Sequence, residues 1–174
     1  MYGKTLGNGY AITAVVGRKS IMQEAQKSFI SSTFWTERIG PTAALATLKE
    51  MEKIKSWEII TEIGEKIRKG WLEVAASNNL KINIAGIPAI SSYSFQSLKA
   101  LEYKTFVTQE MLSKGFLAST NFYASIAHED AYIALYLEAL NDVYKVISRC
   151  ERGDFKIEDL LKGPVCHSGF KRLN

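Results

Sequence analysis

Gly3-Lys4-Thr5 is the first stretch of the chain whose residue types could do chemistry. Gly-Lys-Thr ends the phosphate-binding loop of many nucleotide-hydrolysing proteins. That loop needs a glycine-rich stretch before the lysine and, after it, a helix whose N-terminus faces the phosphates. Here Gly7-Asn8-Gly9 follows and would break the helix, so the nucleotide reading fails. What remains is a lysine held at a tight, glycine-bounded turn beside an apolar segment. Such an amine forms a Schiff base with an aldehyde if its neighbours desolvate it or depress its pKa, and small residues around it leave room for a flat cofactor. On residue types alone, a solvated loop lysine explains the same pattern.

Other candidate groups have plainer readings. His128-Glu129-Asp130 stands just before a long amphipathic stretch, where an acidic pair suits a helix N-terminus and its dipole. Cys166-His167 looks like a nucleophile and base, but adjacent residues seldom place both side chains in one site, so it reads as a packing feature. Cys150 and Cys166, with His128 and His167, match no zinc spacing, and no metal is expected. Trp35, Trp57 and Trp71 read as core or interface anchors, with Trp35 the one that could meet a cofactor.

The elements that must position these residues follow from periodicity. Tyr10–Val16 reads as a buried strand after the glycine turn, and 21–25 as a short helix. Pro41 sits near the first turn of a long helical stretch in which Leu45, Leu48, Met51 and Ile54 recur at helical spacing, continued by Ile63, Ile67 and Trp71. A break or bend is expected near Ser56, and Asn78-Asn79 ends the stretch. Alternation then predicts strands at 81–87 and 90–95, a helix at 101–114 closed by Gly115, a short strand at 116–118, and an amphipathic helix at 130–149. A last short helix is expected at 157–161. The fold class is therefore α/β, divided as residues 1–40 (the tail of one domain), 41–78 (a linking helix) and 79–174 (a smaller α/β domain). A glycine turn and core strand so early in the chain lead us to expect a further segment upstream.

Composition bounds the function classes. The chain has 174 residues, 47% apolar and 23% charged, which suits a soluble globular domain and excludes a disordered tail or a fibre. Its net charge of +4 comes from interspersed residues with no basic run, so nucleic acid is not an expected partner. No apolar stretch reaches the length of a membrane helix and no signal peptide opens the chain, so a reduced, cytoplasmic location is expected.

Three segments in order carry a resemblance. Gly3-Lys4-Thr5-Leu6-Gly7-Asn8-Gly9-Tyr10 is similar to the lysine segment of class III aminotransferases, pyridoxal-phosphate enzymes of fold type I. Residues 31–41, from Ser31-Ser32-Thr33-Phe34-Trp35 to Gly40-Pro41, and 163–170, Gly-Pro-Val-Cys-His-Ser-Gly-Phe, resemble the glutamate-1-semialdehyde aminomutase-like branch. The resemblance implies the C-terminal portion of a pyridoxal-phosphate-dependent transferase fold: the end of the large domain, a long linking helix and a small domain with a short sheet packed by helices. It implies that Lys4 forms the Schiff base with the cofactor and then shuttles protons. Ser32-Thr33 matches a pair whose threonine reaches the cofactor phosphate of the neighbouring subunit, which implies a homodimer.

The sequence also departs from the family. The phosphate cup, the ring-stacking aromatic and the aspartate at the pyridine nitrogen come from a segment that would precede Lys4. The acidic residue of true aminomutases is missing from Ser119-Thr120-Asn121-Phe122-Tyr123, just before Ala127-His128. Amino transfer between a small-molecule donor and a carbonyl substrate is thus the expected activity of the whole enzyme. The alternatives are aminomutase activity, or a non-catalytic module that keeps the small-domain fold. Tyr123 and Asn121 are candidates for a substrate pocket, equally readable as core or loop residues.

Overall fold

The structure is a computed structural model that describes residues 1–31 and 33–169. The chain divides into two compact units, Met1–Ser56 and Trp57–Asn174.

In the first unit, consecutive tight turns run from Gly3 to Tyr10: Leu6 N–H donates to Gly3, Asn8 to Thr5 and Tyr10 to Gly7. Gly7 is buried, and a Cβ there would collide with the Tyr10 carbonyl oxygen, so only glycine closes this loop. The strand expected at Tyr10–Val16 is absent. Its one ladder contact is an isolated antiparallel bridge between Ala14 and Tyr2, with N···O distances of 2.7 and 2.8 Å. Apart from that bridge the segment makes no strand pairing among the described residues, and Tyr10, Val15 and Val16 are exposed. An apolar stretch becomes a strand only where neighbouring strands accept its hydrogen bonds, and this unit holds none among its described residues. A short helix α1, Lys19–Met22, continues as a 3₁₀ turn to Lys27. Helix α2, Ile39–Ile54, then carries Pro41 in its first turn.

The long helical stretch is two helices. α2 ends at Lys55, which adopts a left-handed conformation (φ 49°), and α3 begins one residue later, spanning Ser56–Ser77. A left-handed residue cannot continue a right-handed helix, and this is the break expected near Ser56.

The second unit packs three helices on one face of an antiparallel sheet of order β1-β2-β3. β1 (Ile82–Ile87) and β2 (Ile90–Phe95) form a hairpin, and β3 (Asn121–Tyr123) pairs with the near half of β2. The hydroxyl of buried Ser91 donates to the carbonyls of Ile87 and Pro88, satisfying the turn from inside. β3 replaces the strand expected at 116–118. The reason lies in the end of helix α4 (Ala100–Ser113): Gly115, at φ +86°, donates to Leu112, and Phe116 donates to Met111. This is a Schellman closure, which commits Phe116 to capping the helix and packing on the core before any strand can start.

Helix α5, Asp130–Glu151, completes the layer, followed by a 3₁₀ turn at Ile157–Leu160. The core is an aromatic chain. Trp71 meets Tyr93 edge-on at 4.7 Å, Tyr93 meets Phe95 at 5.7 Å, and Phe95 meets both Tyr103 and Tyr144. Edge-to-face pairs of this kind each add about 0.5–1.5 kcal/mol beyond their burial. Gly70 lets α3 approach α5, since a Cβ there would run into Leu137.

Candidate functional site

Lys4 heads a short 3₁₀ turn, Lys4–Leu6, and its backbone lies in the left-handed region at φ 49°. A non-glycine residue there costs of order 1 kcal/mol, and such positions cluster where side-chain placement matters. Lys4 is exposed, and its amine makes no hydrogen bond or ion pair with any described residue. It lines a groove of about 530 Å³ within the first unit. One wall is the extended segment 10–13, another is the turn bearing Phe34 and Trp35, and Glu37 and Pro41 close the end.

The groove is held open by the start of α2. The Glu37 carboxylate accepts hydrogen bonds from the backbone N–H groups of Ile39 and Gly40, the latter at 3.2 Å, and so caps the helix. Gly40 is buried, and a Cβ on it would meet the Ala11 carbonyl oxygen at 2.7 Å. This carboxylate is engaged by the backbone and is not available as a proton relay to Lys4. Sequence reasoning missed the cap; its signal was an acidic residue just ahead of Gly40-Pro41.

The groove can be compared with what pyridoxal phosphate requires. A primary amine without a competing partner suits the cofactor aldehyde, and aromatic walls at Tyr10, Phe34 and Trp35 suit a flat ring. The volume lies within the usual range for small-molecule sites, about 300–1,000 Å³. No lining residue is a free carboxylate for a ring nitrogen. The groove therefore fits the aldehyde end of the cofactor.

Of the residues singled out from the sequence, Lys4 and Trp35 are brought together in this groove. Thr33 is exposed in the turn before Phe34 and is not among the lining residues, and Ser32 lies outside the described residues. Trp71 is fully buried in the core of the second unit, while Trp57 is half-exposed.

Asn121, Tyr123 and His128 line a different cavity, of about 330 Å³, in the second unit. The His128 Nδ1 accepts the Ser125 N–H at 3.0 Å, and its ring lies 4.9 Å from that of Phe122. Glu129 stands at the N-cap of α5 but makes no side-chain cap, and the Asp130 carboxylate instead pairs with Lys66 at 2.9 Å. The cap expected of this acidic pair thus reduces to the charge of Asp130 in the first turn. That pairing also raises the Lys66 pKa, with Glu62 contributing after Asp130. Cys166 is tied to α4: its N–H donates to the Thr105 hydroxyl at 2.9 Å and its thiol faces the Leu101 carbonyl. Among the described residues, no group of three or more His, Cys, Asp or Glu could hold a metal, and no helix is long and apolar enough to cross a membrane.

No protein-family model matches the chain. It is 29% identical over 147 residues to a 3-aminobutyryl-CoA aminotransferase of Cloacimonas acidaminovorans, covering 81% of this chain and 36% of that protein. It is 29% identical over 163 residues to a glutamate-1-semialdehyde 2,1-aminomutase of Ignicoccus hospitalis, covering 84% and 38%. A 2'-deamino-2'-hydroxyneamine transaminase of Streptomyces kanamyceticus is 34% identical over 83 residues, covering 48% and 21%. Among solved structures, the FumI protein of Sphingopyxis sp. MTA144, in its pyridoxal-phosphate internal aldimine form, superposes with a TM-score of 0.74 at 21% identity, over 86% of this chain and 37% of that one. The chain thus spans between 21% and 38% of the length of these proteins. The structural match establishes the α/β fold shared with part of FumI, and the relatives bear out the resemblance read from the sequence.

Proposed function

We propose that this chain, which corresponds to the C-terminal part of class III aminotransferases, contributes the cofactor-holding lysine and the small domain to a pyridoxal-phosphate-dependent aminotransferase. The observation that carries the proposal is the unpartnered amine of Lys4 in a groove walled by Tyr10, Phe34 and Trp35. When bound, the cofactor supplies an aldehyde for an amine to attack and a ring that withdraws electrons from the substrate carbon. Lys4 Nζ would hold it, and the same nitrogen, once neutral and released, would take a proton from the substrate carbon and return it. The left-handed backbone at Lys4, within the turn closed by the Leu6 N–H to Gly3 hydrogen bond, would orient that side chain. Phe34 and Trp35 would exclude water from one side.

Thr33 is our choice for the phosphate contact, with Ser32 beside it. Its exposure in the turn suits a reach toward a neighbouring subunit, so a homodimer belongs to this reading. Residues 1–40 would be the end of a cofactor-binding domain, 41–78 the link and 79–174 the small domain, in a cytoplasmic enzyme. Tyr2, Tyr10, Val15, Val16 and Phe34, all more than half exposed, favour a site completed by further polypeptide. The substrates would be a small-molecule amino donor and a carbonyl acceptor. The missing carboxylate at Ser119–Tyr123 favours amino transfer over aminomutation.

The test is cofactor retention. The full chain mixed with pyridoxal phosphate and then dialysed should keep a visible chromophore in near-stoichiometric amount, and Lys4→Ala should lose it. Equal retention by the two proteins would overturn the role given to Lys4.

A further inference from the structure

β2 alternates between the two faces of the sheet. Tyr93 and Phe95 enter the core, while the alternating positions Ser92 and Ser94 face the other way. Between β2 and α4 lies a groove of about 430 Å³, whose lining includes Ser92 and Ser94 of β2, Thr120 and Asn121 at the start of β3, Lys104 of α4 and His167 of the C-terminal segment.

Two properties set it apart. Its lining includes the Lys104 ammonium, the hydroxyls of Ser92, Ser94, Thr120 and Ser168, and the Asn121 amide, but no carboxylate. In addition, none of the side chains of Ser92, Ser94, Lys104, Thr120 or Asn121 makes a hydrogen bond or ion pair with a described residue. Lys66, Lys99, Lys114, Lys145 and Lys162 of the same unit each face a carboxylate, whereas Lys104 does not. Donors gathered around a partly buried cation, with no carboxylate supplied by the protein, suit an anion from solution.

We infer that this groove binds a small anion, a carboxylate or a phosphate, between the Lys104 ammonium and the hydroxyls of Ser92, Ser94 and Thr120. The site stands apart from the assignment of Lys4 and does not require a bound cofactor. Its volume admits a ligand of metabolite size and not a macromolecule.

Heteronuclear NMR titrations of the full chain test this, with sodium phosphate in one arm and sodium succinate in the other, at ionic strength held constant with sodium chloride. At least one anion should give saturable amide shifts confined to Ser92, Ser94, Lys104, Thr120 and Asn121, and the tighter of the two identifies the chemistry. Lys104→Gln should weaken that binding about tenfold, the loss of one charge-assisted hydrogen bond. Ser94→Ala, an exposed change that spares the core, should weaken it severalfold, and Lys156→Gln should leave it unchanged. Shifts that never saturate, that scatter over surface lysines, or that persist unaltered in both groove variants would overturn the inference.

Discussion

Gly40, at the start of α2, lies against Ala11: a Cβ on this glycine would stand 2.7 Å from the Ala11 carbonyl oxygen. The contact joins the helix start to the extended segment that forms one wall of the Lys4 groove. Gly40→Ala should push the two apart at a cost of about 1–3 kcal/mol, the usual penalty of overpacking. Limited proteolysis should then cut faster within residues 10–16, with protection of the second unit unchanged.

Trp71 donates its indole N–H to the Tyr136 hydroxyl at 2.8 Å, joining α3 to α5 inside the second unit. Tyr136→Phe leaves a buried donor without an acceptor and should destabilise the protein by about 1–3 kcal/mol in chemical denaturation. Trp71→Phe removes that donor but opens a cavity. The double variant should therefore lose less than the sum of the two single changes.

Alkaline pH should unfold the second unit. Burial pushes the Tyr136 hydroxyl up to about 12, against the opposing hydrogen bond from Trp71, and burial also raises Tyr93, Tyr103 and Tyr144. An unfolded tyrosine gives up its proton near pH 10. Above that value the unfolded chain binds fewer protons than the folded one, so stability present below pH ~10 falls as pH rises. Phenolate absorbance from the core tyrosines should grow together with loss of helical circular dichroism. Its appearance well before unfolding would contradict this.

At the acid end, Asp142 is held below the usual carboxylate range, first by Lys145 and then by Lys114. The stability it contributes is present above the ordinary carboxylate pKa and is lost as pH falls through the lowered one. Asp142→Asn should flatten that part of the stability profile, measured by denaturation midpoints between pH 5 and pH 2.

Much of the second unit was legible in the sequence because each element carries its own signal. Helical spacing marked α3 and α5, alternation marked β1 and β2, and Gly115 marked the end of α4. The third strand was misplaced because Phe116-Leu117-Ala118 looks apolar enough to pair, whereas the Schellman hydrogen bond from Phe116 to Met111 had already used its backbone. The strand expected at Tyr10–Val16 failed for a non-local reason: apolar residues signal burial, and only neighbouring strands turn burial into a sheet. Lys4 and Trp35 were readable as types, but their shared groove depends on the Glu37 cap and the Gly40 contact. The groove around Lys104 left no trace in spacing, because its residues come from four separate segments.

The role of Lys4 is tested most directly by reducing a mixture of the protein and pyridoxal phosphate with borohydride and mapping the modified lysine by mass spectrometry. A pyridoxyl group confined to Lys4, and lost in Lys4→Ala without moving to another lysine, is the expected result. Labelling spread over the surface lysines, or none at all, would contradict the assignment of Lys4 as the residue that holds the cofactor.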